Sequence, residues 1–179
     1  MSILSPDIVI FKKDLEINID VIKKLVIDSA VTIKMKSLLN ITVYVLATRF
    51  LEGSVKHIIY NCCQIRGDNN VDLKNIEASL KFFNNPTYQN ITKIFNENLN
   101  IDINQGLSTK HFTEKDITFL SQIVDNRHKN VHASFDSREW YNQNIRGIED
   151  FEKYYPSLIK ILEFLDNINF DKEKNVFTI

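Results

Sequence analysis

The stretch Ser37–Gly67, "SLLNITVYVLATRFLEGSVKHIIYNCCQIRG", decides how the chain is read, because it is its longest apolar-rich segment. Leu38, Ile41, Val45, Thr48, Leu51 and Val55 fall on one helical stripe, and further apolar residues lie outside it. Such density predicts a central helix packed on more than one side. Gly67, followed by Asp68, Asn69 and Asn70, supplies the stop.

Upstream, helical spacing runs from about Leu15 to Leu39, and the first dozen residues read as an arm. Downstream, "VDLKNIEASLKFF" (Val71–Phe83) reads as a short amphipathic helix with Asp72 as its N-cap. "NNPT" breaks it, and "YQNITKIFNENL" (Tyr88–Leu99) is another short helix. After a loop, Thr113 caps a helix whose first turn carries Glu114 and Asp116, as a helix start favours. A last helix begins at Ile148, with Pro156 as a kink or a restart. The tail "DKEKNVFTI" is polar and is expected to be loose.

Composition agrees with this order. The chain has 179 residues, 44% hydrophobic and 25% charged, with four Gly and three Pro, so long helices are favoured over a many-turned β architecture. The expectation is an all-α fold, a compact bundle of five or six helices. Residues 1–36 form a helical extension, 37–170 the main domain and 171–179 the tail. A net charge of −1 excludes a generally basic nucleic-acid coat. The first residues lack the basic-then-apolar order of a secretion signal, and no run of about eighteen apolar residues exists to span a bilayer. Cys62 and Cys63 are adjacent, which suits neither a disulfide framework nor a zinc site. A cytoplasmic, reduced protein without cofactor is expected.

The chemistry concentrates in "VDNRHKNVHAS", Val124–Ser134, directly after the apolar run "ITFLSQIV". Basic residues at a helix C-terminus also suit the helix dipole, so a solvated helix end is the plain alternative. Against it, Arg127 follows Ile123 by four residues and Leu120 by seven, which puts it on the apolar face. A cation there calls for an anion, either a carboxylate or a phosphate. His132 lies five residues on, about 140° around the helix, so the two do not converge within one continuous helix. His128 and His132 have a zinc-compatible spacing, but no HExxH and no Cys ligand pair accompanies them. There is no GxSxG elbow and no Gly-rich phosphate loop.

"RHKNVH" resembles the R-polar-x3-H motif of the HEPN (higher eukaryotes and prokaryotes nucleotide-binding) superfamily, with His128 at the polar position. "ATRFLEGSVKHIIYNCC" resembles the family's first long helix, and Glu52 matches its acidic residue. The order of long helix, two short helices, motif helix and final helix, over roughly Ser37–Ile168, resembles the RiboL-PSP-type branch. The resemblance implies a metal-independent endoribonuclease, a hydrolase acting as a toxin–antitoxin or antiviral-defence effector. It implies an RNA substrate, with tRNA among the candidates, and a homodimer whose two motifs share one cleft. An antitoxin or sensor protein is the implied partner, with no membrane involved.

In that scheme Arg127 grips the scissile phosphate and His132 is the general base or acid. His128 orients His132 or supplies a second proton-transfer group, while Asn130 or Asp125 fixes ring tautomers. Glu52 is either an exposed carboxylate or the buried ion-pair partner of Arg127, the second being preferred. His57 and His111 are read as structural, and Trp140 and Tyr141 as core or as base-stacking rings. The alternative within the family is a non-catalytic interaction or nucleotide-binding module.

Overall fold

A computed structural model describes residues 2–131 and 147–178, with the side chains of 129–131 excepted. In order they form α1 (Pro6–Ile27), α2 (Ile33–Arg66), α3 (Asn70–Lys81), α4 (Tyr88–Leu99), the single turn α5 (Gln105–Ser108), α6 (Glu114–Val131), α7 (Ile148–Leu165), β1 (Asn169–Asp171) and β2 (Val176–Thr178). The fold is all-α, apart from the small antiparallel β1–β2 hairpin. No helix among the described residues is long and apolar enough to cross a membrane.

α2 is the axis. Thr32 caps its start, where Oγ1 accepts from Met35 N, and Gly67 ends it in the left-handed region (φ 91°) that favours glycine. Its buried positions run from Val43 to Cys63 and occupy more than one face, so α1, α3, α4, α6, α7 and β1 all pack on it. The first three positions of the expected stripe lie off the core: Leu38 is exposed, and Ile41 and Val45 are only partly buried. Cys62 and Cys63 are free and buried near the end of α2. Burial pushes the Cys62 thiol up to about 12 and the Cys63 thiol up to about 11.

The N-terminal segment is not an arm. Pro6 occupies the first turn of α1, where a missing N–H costs nothing. The Leu4 and Ser5 N–H groups donate to Asp166 Oδ2 at 2.5 and 2.8 Å, which straps the chain start to the end of α7. Ile8, Leu15, Ile19 and Ile22 enter the common core. The boundary expected after Lys36 therefore falls inside α2, and the long upstream helix is broken at residues 28–32. Ile10, Ile17, Val21 and Leu25 form a second, exposed apolar stripe on the other side of α1.

α3 is capped by Asn69, whose Oδ1 accepts from Val71 N and Asp72 N, so Asp72 is not the cap. α4 spans the expected residues and ends at Asn100 with φ 55°. α7 runs through Pro156 as one helix, with Pro156 on its exposed side. The polar tail is folded into the hairpin: Phe177 packs on Phe170 (4.8 Å) and lies under the Arg66 guanidinium at 5.8 Å. Arg66 also grips Asp68 through two bonds and donates to Asn98 O, so one cation ties the ends of α2 and α4 to the hairpin.

α6 is anchored at its start. Thr113 N donates to Asp116 Oδ2 (2.8 Å) and Asp116 N to Thr113 Oγ1 (3.3 Å), a reciprocal cap. The same carboxylate accepts from Ser157 Oγ (2.8 Å) and Lys160 Nζ (2.9 Å) on α7. Burial opposes its ionisation, but the hydrogen bonds from Lys160, Thr113 and Ser157 outweigh burial and hold the pKa at about 2. A carboxylate depressed in this way stabilises the fold at every pH above its ordinary value of 3.8, by about 2 kcal/mol. That stability is lost as pH falls from 3.8 towards about 2. Asp116→Ala is expected to lower the unfolding free energy by about 2–4 kcal/mol at pH 7 and to flatten the acid limb over that interval, measured by urea denaturation across pH.

Candidate functional site

α6 carries the polar cluster on its second half. Leu120, Ile123 and Val124 are fully buried and fix the rotation of the helix against α2 and α7. That rotation directs Arg127 inward, as its spacing from Ile123 and Leu120 predicts. Its side chain is nevertheless only partly buried. A long apolar stem lets the guanidinium reach past the core edge, where Nη1 donates to the backbone O of Asn84 at 3.4 Å. Asn84 lies in the link between α3 and α4, so the cation sits where α6 crosses that link.

Asp125 and His128 are exposed on the same helix. Asn126, absent from the expected site, is buried instead, with Nδ2 donating to Gln122 O at 2.6 Å. A polar residue between two positions of an apolar stripe was the available signal. The backbone of Asn130 belongs to α6. The Asn130 side chain lies outside the described residues, as do His132, Trp140 and Tyr141.

The preferred role of Glu52 is corrected. Its carboxylate pairs with Lys56 Nζ at 2.6 Å, one turn along α2, and among the described residues it makes no ion pair with Arg127. A partner four residues away on the same helix costs little to organise, which is why it wins over a distant guanidinium. Arg127 thus has no carboxylate partner among the described residues. Of its five N–H donors, the contacts there use one.

His57 and His111 have packing contacts. His57 Nε2 lies 2.8 Å from Asn61 Nδ2 and 3.1 Å from Ser5 Oγ, while the His111 ring rests 5.4 Å from that of Phe164. No cluster of three His, Cys, Asp or Glu side chains is placed to share a metal ion among the described residues.

The link beside Arg127 is more than the helix break its sequence announces. It bounds a hollow of about 310 Å³ whose lining includes Phe82, Phe83, Asn84 and Asn85. The two rings diverge: Phe83 is 8% exposed and Phe82 is 84% exposed. Phe82 caps α3 and Phe83 lies just beyond it, where the chain leaves the helix and turns one ring in and the other out.

No protein-family model matches the chain, nor does any curated protein or solved structure compared with it. The site therefore stands on its residues alone.

Arg127→Ala is expected to keep the unfolding free energy within about 1 kcal/mol of the unmodified chain, because its described bond is long and exposed. Urea denaturation checks this, and a larger loss identifies Arg127 as a structural cation.

Proposed function

We propose that the chain is a metal-independent endoribonuclease with Arg127 and His132 as its catalytic pair. The observation that carries this reading is an arginine on the inner face of α6 whose guanidinium emerges beside a hollow without a carboxylate partner among the described residues. Such a cation suits an anionic ligand from solution, and a guanidinium matches the paired oxygens of a phosphate. The R-polar-x3-H spacing from Arg127 to His132, and the HEPN resemblance it carries, supply the second support.

The chemistry needs no further group. A base takes the proton of an RNA 2′-hydroxyl, and that oxygen attacks the adjacent phosphorus. The bond from phosphorus to the 5′-oxygen breaks, and an acid protonates the leaving oxygen. Arg127 stabilises the charge on the phosphorane. The products are a 2′,3′-cyclic phosphate and a 5′-hydroxyl. His132 is one proton-transfer group, with His128, Asp125 and Asn130 in support. In a homodimer the His132 residues of two copies supply both acid and base across one cleft. A toxin or antiviral effector held in check by an antitoxin or sensor protein, with tRNA among the substrates, fits such an activity.

A second reading, a non-catalytic module, is favoured by the exposed apolar stripe of α1. Ile10, Ile17 and Val21 leave a helix face without a partner among the described residues, as a docking surface does.

Purified protein incubated in EDTA with total RNA and with tRNA tests the first reading. Cleavage is expected from the unmodified chain, with a loss of at least about a hundred-fold in Arg127→Ala and in His132→Ala. Equal cleavage by the variants removes both residues from the site. No cleavage by any of the three, with all folded, favours the docking module.

A further inference from the structure

We infer that the hollow between the end of α3 and the first turns of α4 is a pocket for one unpaired nucleobase. That base would adjoin the phosphate held by Arg127. The inference rests on the ribonuclease reading for its substrate class, but its residues are distinct from the catalytic pair.

Four observations converge. The first is position. Asn84 lines the hollow and receives the Arg127 guanidinium on its carbonyl, so a base in the hollow and a phosphate on Arg127 belong to neighbouring parts of one nucleotide chain. The second is Phe82. Its ring lines the same hollow and is 84% exposed. An aromatic ring left open to solvent is the kind of platform on which single-stranded bases stack.

The third is Asn85. Its Oδ1 is buried and has no hydrogen-bond partner among the described residues. A buried acceptor left without a donor is costly, and every nucleobase carries an N–H donor on its pairing edge. The residue is held firmly, because its backbone O accepts from Asn90 Nδ2 (2.8 Å) and from Thr87 N (2.9 Å). The backbone around Asn85 is thus fixed before any ligand arrives, and the side chain needs only to turn about it to bring the closed-off Oδ1 to a base in the hollow.

The fourth is charge. Lys93 and Glu97 both line the hollow and pair with each other at 3.8 Å. Their charges offset, so the interior suits a neutral ring and leaves the phosphate to Arg127 outside. A volume of about 310 Å³ is at the small end of ligand clefts, which suits one ring system and excludes a folded partner.

The test titrates the full chain with adenosine 5′-monophosphate and with ribose 5-phosphate, which lacks the base, using calorimetry or NMR. Adenosine 5′-monophosphate is expected to bind at least about five-fold more tightly than ribose 5-phosphate. Phe82→Ala is expected to weaken adenosine 5′-monophosphate binding by about five- to a hundred-fold, and Phe82→Trp to retain it. Phe82 is almost free of packing, so these variants fold. Equal binding of the two probes, unchanged binding by Phe82→Ala, or no binding of adenosine 5′-monophosphate overturns the pocket. Cleavage assays on the same proteins separate the two ideas. EDTA-resistant cleavage with Phe82-independent binding sinks the pocket and leaves the ribonuclease. Phe82-dependent binding without any cleavage sinks the ribonuclease and leaves a nucleobase site.

Discussion

Everything in this fold leans on the burial of α2 from several directions at once. A helix of 34 residues whose middle and far turns are covered by five other helices and a strand leaves little tolerance for polar side chains there. Thr48 meets that constraint by donating to Tyr44 O at 2.8 Å, a bond within its own helix. Ser54 Oγ is buried without a hydrogen-bond partner among the described residues, a local cost that the surrounding apolar burial absorbs. Because α2 is fixed on all these sides, the relative placement of α4 and α6 against it is fixed too, and with it the crossing of α6 over the α3–α4 link.

The two ends of α6 do opposite work. At its start, the Asp116 carboxylate collects donors from Thr113, Ser157 and Lys160 and welds the helix to α7. Eleven residues later, about 16 Å along the axis, Arg127 has one long bond to a backbone oxygen. One end is therefore saturated, while at the other the described residues leave donors to spare. A helix with a fixed foot sets the position of its far cation without an ion pair among the described residues.

Local signals in the sequence were legible and non-local ones were not. α4 falls on the residues its periodicity marks, Gly67 ends α2, and Thr113 caps α6, because each depends on chemistry within a few residues. The start of α1 was missed because what secures it, Asp166, is far away in sequence. Asn69 and Asp72 are both capping residues, and only the path of the chain after Gly67 decides between them. The hairpin rests on Phe177 meeting Phe170 and Arg66, which no strand pattern of three residues announces. At the site, spacing alone put Arg127 on the inner face of α6. It does not show that Glu52 turns to Lys56, or that Phe82 stands open on the link that Arg127 touches.

The paired cysteines of α2 have a use as a clock. Buried thiols whose ionisation is pushed this high carry almost no thiolate at neutral pH and so are chemically silent while the helix is packed. Once the far half of α2 separates from its neighbours, both return to ordinary acidity and reactivity. They lie beside Arg66, at the opposite end of α4 from Asn85, so their labelling times the opening of the hairpin end of the molecule. The region that anchors the fold thus reports on itself, independently of anything bound near Arg127.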